Sequence, residues 1–241
     1  MKRLNQLTKK EWAEHNTTIW NCSGFNGYFA SFHEEIPERL IKYFTFPKDK
    51  VLDPFVGSGT TLKVAQDLDR NAIGIDCNEK AIKLARKGIH ENSDLNIEAI
   101  HGDSRNLSIF ENNEFDFIIT SPPYFDIVNY SNSKNQLGNI TQYEKFIDNM
   151  FQIFKNCRRV LKKGKFMTII TSDIRKANHY YPIHVDYIEN LKKIKMELHQ
   201  ILINKFKTSG KDKREKCMGY PSNFHPWMEH EYILIFKNQS D

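Results

Sequence analysis

The sequence predicts an α/β fold: a mostly parallel sheet of seven strands with helices on both faces, in a single domain spanning residues 1–241. Three observations predict it. Short apolar runs rich in β-branched and aromatic residues recur along the chain, helical patterns separate them, and turns carrying glycine or aspartate fall directly after the runs. Lys50–Asp53 (KVLD) is the first strand, followed by a turn and an amphipathic helix over about 60–68. Asn71–Asp76 (NAIGID) is the second, with a helix over about 79–89. Ile97–His101 is the third strand and Phe115–Thr120 the fourth, with a helix over about 141–161 after it. Residues 165–171 (KFMTIIT) form the fifth, followed by a helix around 185–193, and residues 198–204 and 231–237 form the last two.

A chain of 241 residues buries a substantial core without disulfides or metal. Charged residues make up 27% and hydrophobic ones 39%, with mean hydropathy −0.60, which excludes the disordered and membrane classes. No apolar run approaches a membrane span. The start, MKRLNQLTKKEWAEHN, is basic but lacks the apolar core of a secretory signal, so a cytoplasmic location is expected. Cys22, Cys77, Cys157 and Cys217 lie far apart without zinc-site spacing, and reduced thiols and no metal site are expected. The net charge of +5 permits a polyanionic partner. Its distribution is more telling: Lys205, Lys207, Lys211, Lys213, Arg214 and Lys216 face only Asp212 and Glu215 in a stretch that includes Ser209 and Gly210. A mobile basic loop is expected there.

In an open parallel sheet, ligands collect beyond the carboxyl ends of the strands. After the first strand comes DPFVGSGTT, a carboxylate at Asp53, then Gly57 and Gly59, then a helix start. The glycines let a ligand approach the backbone. Leu62 stands where a dinucleotide fingerprint has its third glycine, and the phosphate-loop pattern is missing. After the second strand stands Asp76, placed to accept from two ribose hydroxyls, and after the third comes Asp103 in HGDS, placed to accept from an adenine amino group. Either aspartate alone is more often a cap or turn residue. Together they describe a nucleoside site, and a carboxylate at the first strand end suits a ligand with an amino-acid end. The fourth strand stops at TSPPY. A lone Pro-Pro reads as a strand stop, and the two prolines leave the backbone from Ser121 to Pro123 nearly predetermined.

DPFVGSGTT followed by TSPPY resembles the S-adenosylmethionine-dependent amino-group DNA methyltransferases, and Ser121 at the head of the second motif resembles their cytosine-N4 branch. The similarity runs over residues 18–237, with the glycine motif preceding Ser-Pro-Pro-Tyr. TIWNCSGFNGYFASFHEEIPERLIKYF resembles the element that supports the cofactor's methionine end. The resemblance implies a Rossmann-like methyltransferase domain with a supporting segment at 1–49, a cofactor half at 50–124 and a substrate half at 125–241 that holds a basic loop at 205–227. It implies Asp53, Phe55, Gly57, Gly59, Asp76 and Asp103 around S-adenosylmethionine, and Ser121, Pro122, Pro123 and Tyr124 around the reacting amine. Double-stranded DNA is the implied partner, met by the cations between Lys205 and Lys216, and a cognate restriction endonuclease is a further implied partner.

That chemistry gives the prolines a purpose. The exocyclic amine of cytosine is a poor nucleophile because its lone pair is delocalised, and the base must leave the stack to be reached. The Pro122 carbonyl and Ser121 hydroxyl can accept from the amine, while Tyr124 offers a face for the base. Phe55 serves equally as pocket lining or core. The polar loop 129–138, the aromatic triplet His179, Tyr180 and Tyr181, and the stretch 219–227 are further candidates for DNA or base contact, each balanced by an ordinary loop or packing role. HEEIPERL lacks the spacing of a helical zinc motif. Rival readings are an adenine-N6 or RNA methyltransferase, a protein glutamine methyltransferase, and an inactive DNA-binding module of the same fold.

Overall fold

The structure, a computed structural model, describes residues 5, 7–22, 32–90, 94–126, 136–176, 178–205 and 228–239. Its elements in chain order are α1 (Lys9–His15), β1 (Ile19–Trp20), α2 (Glu35–Phe44), β2 (Lys50–Asp53), α3 (Thr60–Asp67), β3 (Asn71–Asp76), α4 (Glu79–Lys87), β4 (Ile97–His101) and β5 (Phe115–Thr120). After a single 3₁₀ turn follow α5 (Tyr143–Val160), β6 (Leu161–Thr171), β7 (Ile174–Lys176), β8 (His179–Tyr181), α6 (Ile183–Lys193), β9 (Met196–Lys205) and β10 (His230–Asn238).

Among the described residues the main sheet has eight strands in the order β1-β9-β10-β6-β5-β2-β3-β4. The seven expected strands are all present; the eighth is β1, which corrects the seven-stranded expectation. It pairs parallel to β9 through Ile19↔Ile203 and Trp20↔Asn204, too short a run to show any periodicity. β4, β3, β2, β5 and β6 are mutually parallel, and β10 is antiparallel to both β6 and β9. The strand order reverses between β2 and β5, and in such sheets the crevice beyond the strand ends at that switch point receives the ligand.

Alternation along the strands builds a core on each face. Leu52, Ile73, Ile118, Leu234 and Phe236 pack with Phe146, Met150, Ile153 and Phe154 of α5 and Tyr187 and Leu191 of α6. On the other face, Val51, Ala72, Ile119, Ile233 and Ile235 pack with α2, α3 and α4 through Leu40, Ile41, Leu62, Ala65, Ile82 and Ala85. β5 is buried along its whole length, as a central parallel strand must be. Its one charge, Asp116, accepts from the Lys50 backbone N–H at 3.1 Å and from Lys162 Nζ at 2.8 Å, away from the carboxyl end.

The expected helices lie within a few residues of those observed. β6 begins four residues earlier than the expected fifth strand. Gly164 takes φ +75° there and the register with β5 shifts between Phe115↔Leu161 and Phe117↔Phe166, so a stretch that reads as a turn continues the strand through a bulge. α1, α2 and the β7/β8 hairpin went unassigned as elements.

Gly74 in β3 lets the turn after β2 settle onto the sheet. A Cβ at this position would stand 2.3 Å from Val56 Cγ2 and 2.6 Å from Val56 Cβ. Gly74→Ala is expected to destabilise the fold by about 1–3 kcal/mol through overpacking. In urea unfolding, G74A combined with Val56→Ala should cost less than the two single changes added together, because the second change removes both Cγ contacts and leaves only the one with Val56 Cβ. Additive costs would show that the clash is relieved elsewhere.

Candidate active site

The site begins at the last residue of β2. Asp53 is 1% exposed, and both its oxygens are occupied. Oδ2 accepts from the Thr61 hydroxyl at 2.6 Å; Oδ1 accepts from the Thr120 hydroxyl at 2.9 Å and the Phe55 backbone N–H at 3.0 Å. Thr61 lies in the first turn of α3, and Thr120 is the last residue of β5, immediately before Ser121. One carboxyl group therefore joins the glycine turn to the Ser-Pro-Pro-Tyr segment. Burial pushes its pKa up to about 6 against the lowering effect of these three hydrogen bonds.

The turn itself is braced from below. Val56 donates its backbone N–H to the Ile75 carbonyl at 2.9 Å, and Gly57 donates to Asp76 Oδ2 at 3.0 Å. Gly57 has φ +52° with nothing within 4 Å of where a Cβ would stand. Among the described residues, its lack of a side chain thus leaves open space above the turn. Gly59 has φ +94°, and a Cβ there would lie 2.8 Å from Ala85 Cα, so the close approach of α3 to α4 requires glycine. Phe55 is half-buried against the face that carries α5 and α6, in a packing position beside the turn.

Asp76 ends β3. Its Oδ1 accepts from the Asn78 backbone N–H at 2.8 Å, and burial raises its pKa despite that bond and the one from Gly57. Asp103 follows β4 and is bound by Arg105: the guanidinium Nη2 donates to Oδ2 at 2.6 Å and Nε lies 3.0 Å from both oxygens. Burial opposes the shift, but Arg105 holds the Asp103 carboxyl below the usual range. Ser104 donates its hydroxyl to the Pro54 carbonyl and ties this turn to the first.

Pro122 is buried, while Ser121, Pro123 and Tyr124 are half-buried at the carboxyl end of β5. Phe125 anchors the segment. It is 1% exposed, with its ring 5.2 Å from Tyr143, 5.5 Å from Phe146 and 5.1 Å from Tyr181.

Asp53, Gly57 and Asp76 are thus linked by hydrogen bonds to one turn. Asp103 joins them through Ser104, and Ser121 through Thr120. The sequence reading does not single out Thr61, Thr120, Ser104 or Arg105; Ser104 and Arg105 directly follow Asp103, whereas Thr61 and Thr120 lie 8 and 67 positions from the carboxylate they bond. Lys205 ends β9 and pairs in register with His230. Lys207, Lys211, Lys213, Arg214 and Lys216 lie outside the described residues, as do residues 219–227 and 129–135. His179, Tyr180 and Tyr181 form β8, beyond the end of β6. Among the described residues no cluster of His, Cys, Asp and Glu could hold a metal, and no helix is long and apolar enough to cross a membrane.

A family model described as DNA methylase matches residues 2–87 and 115–241, most of the chain. The chain belongs to the DNA methylase family. A methyltransferase domain model also matches the chain over residues 51–145, which contain the glycine turn and both following aspartates. The Type II methyltransferase M.MjaI of Methanocaldococcus jannaschii is 49% identical over 113 residues, 42% of this chain and 37% of that protein. The Type II methyltransferase M.BglI of Bacillus subtilis is 40% identical over 89 residues, 35% of this chain and 26% of that protein. The matched segments therefore span well under half the length of these relatives. A SAM-dependent methyltransferase from Methanosarcina mazei has the same fold, with a TM-score of 0.55 at 16% identity over 83% of this chain and 98% of that one.

The raised pKa of Asp53 has a consequence for stability. The unfolded aspartate titrates near 3.8 and the folded one near 6, so between those values the folded chain keeps a proton that the unfolded chain has lost. This group's contribution is full below about pH 4 and is lost as pH rises through about 6. Urea unfolding across pH 4 to 7 should therefore show the parent losing about 2–3 kcal/mol relative to Asp53→Asn. A pH-independent difference between the two would mean that Asp53 titrates alike folded and unfolded.

Proposed function

We propose that this chain transfers a methyl group from S-adenosylmethionine to the exocyclic N4 amine of a cytosine flipped out of duplex DNA, at a specific sequence. The observation that carries the reading is the Asp53 bridge: it brings a ligand-accommodating glycine turn and a Ser-Pro-Pro-Tyr strand end together at the switch point of a methyltransferase fold. The DNA methylase family favours DNA as the substrate, and the similarity to Type II methyltransferases favours a restriction-modification setting with a cognate endonuclease.

The residues around the turn fit the cofactor. Open space above Gly57 admits it, the half-buried Asp76 accepts from the ribose hydroxyls, and Asp103 accepts from the adenine amine once Arg105 gives way. Asp53, enclosed by its three donors, acts by holding the turn rather than by touching the amino-acid end of the ligand. Bound there, S-adenosylmethionine supplies an electrophilic methyl group.

The chain's own work is alignment. The prolines fix the backbone so that the Pro122 carbonyl and the Ser121 hydroxyl accept the two amine hydrogens, which turns the nitrogen lone pair toward the methyl group. The same oxygens face the positive charge that develops on nitrogen, a charge best stabilised by dipoles already in place. Tyr124 stacks on the base, with Phe125 anchoring the loop behind it. The basic stretch that follows Lys205 in the sequence, between β9 and β10, contacts phosphates. Ser121 at the head of the motif favours cytosine over adenine.

Nucleoside analysis of duplex DNA treated with the protein and labelled cofactor should give N4-methylcytosine. Label in N6-methyladenine alone would overturn the base assignment and leave the site chemistry standing, and label in RNA alone would overturn the polymer. Tyr124→Ala should lower kcat/KM about 10- to 100-fold, the scale of one base stack of about 1–3 kcal/mol. Asp76→Ala should weaken cofactor binding by a comparable amount, read by calorimetry. Neutralising Lys211, Lys213 and Arg214 should weaken DNA binding and flatten its salt dependence while cofactor affinity holds.

A further inference from the structure

β6 extends past the end of β5, since Thr120 pairs with Ile169, and directly beyond it the chain forms a two-stranded ribbon. The ribbon register is Ile174↔Tyr181, Arg175↔Tyr180 and Lys176↔His179. Alternation sorts these side chains by face. Tyr181, Lys176 and His179 line an open cleft of about 540 Å³ whose opposite wall includes Phe125 and Asp126, the residues that follow Tyr124. The other face carries Arg175 over the ring of Tyr180, with its guanidinium carbon 5.2 Å from the ring centroid. Arg175, Lys176, Asn178, His179 and Tyr180 are all exposed.

An exposed ribbon with these side chains would be ordinary if it were loosely rooted, but its base is fixed. Asp173, 3% exposed, accepts from the Tyr180 hydroxyl at 2.6 Å, from His184 Nδ1 at 2.7 Å and from the His184 backbone N–H at 3.1 Å. The His184 ring stacks on Tyr232 of β10 at 4.0 Å, and Tyr181 packs on Phe125. Arg175 has no carboxylate partner among the described residues; the Tyr180 ring pre-orients its cation without neutralising it. Lys176 is the ribbon's second cation and pairs with Asp126. Asp126 has φ +45°, an uncommon conformation for a non-glycine residue, at the exit of the Ser-Pro-Pro-Tyr segment.

We infer that the β7/β8 ribbon is a DNA-backbone clamp beside the reacting base, with Arg175 and Lys176 each contacting a phosphate and Lys176 coupling that contact to the catalytic loop through Asp126. The occupant is the sugar–phosphate backbone of duplex DNA. Two cations and hydrogen-bonding Asn178 and His179 on a braced ribbon match a run of phosphates, and the ribbon shares its cleft with Phe125 and Asp126, the residues directly after Tyr124. Asp173 is a positioning residue that sets the angle of the ribbon. The inference rests on the methyltransferase reading above and adds to it a surface separate from the basic stretch after Lys205.

The test uses the full chain with Arg175→Gln and Lys176→Gln combined, binding duplex DNA over a range of salt. Each phosphate contact contributes roughly 0.9 to the slope of log affinity against log salt, so the double variant should lose close to 2 from the parent slope while its cofactor affinity stays unchanged. Arg175→Lys, which keeps the charge, should retain the parent slope. A double variant with the parent slope overturns the clamp while methyl transfer by the parent leaves the function standing. A parent that neither binds duplex DNA nor methylates it overturns both. Single-stranded RNA that displaces duplex DNA of equal length from the parent, and loses that advantage in the double variant, assigns the ribbon to RNA and overturns the duplex assignment.

Discussion

Asp53 sits where three segments meet: the end of β2, the first turn of α3 and the end of β5. A carboxylate buried this deeply is costly unless its oxygens are filled, and here two threonine hydroxyls and a backbone N–H fill them. The donors come from positions 55, 61 and 120, so satisfying one charged group fixes the glycine turn against the strand that carries Ser121. Were Thr61 to lose its hydroxyl, Oδ2 would be left buried and unpaired, and without the Thr120 hydroxyl Oδ1 would keep only the Phe55 N–H. That penalty is what makes the two motifs a unit.

The sheet supplies the frame in which that unit works. Parallel strands β2 and β5 diverge in connectivity at the switch point, where sheets of this kind receive their ligand, and Asp53 ends β2 there. Across the sheet, antiparallel β9 and β10 bring the ends of a long connection back to the same edge. There Asn204 clasps Cys22 through both backbone groups, at 2.9 and 3.0 Å, and donates at 2.8 Å to Glu231. Burial pushes the Glu231 carboxyl up to about 7 against the effect of that single bond. A polar latch thus secures the segment near the start of the chain to its last strand, where β1 adds only two residues of pairing.

Rigidity and reach are divided between neighbouring parts of this edge. Asp103 with Arg105, and Asp126 with Lys176, are both ion pairs at the rim in which a ligand can replace one partner. Half-exposed pairs of this kind contribute little to stability. They keep charged groups oriented before a ligand arrives. The buried Asp53 and Asp173 clusters, which have no such exchange available, hold the backbone beneath them.

The sequence alone determined whatever is encoded by neighbours along the chain. Apolar runs such as FDFIIT could only be buried strands, helical periodicity placed α3, α4, α5 and α6 within a few residues, and Gly57, Gly59, Pro122 and Pro123 constrain their own backbone wherever they stand. The glycine and Ser-Pro-Pro-Tyr motifs were legible for that reason. Only the tertiary structure decided which distant groups complete them. Nothing in local pattern says that Thr61 and Thr120 share one carboxylate, or that Asp173 braces a ribbon beside Phe125. The two-residue β1 was equally invisible, because its pairing partner lies some 180 positions away. Hydrogen bonds and ion pairs across such separations depend on the strand order and register of the assembled sheet, and local propensity carries no record of either.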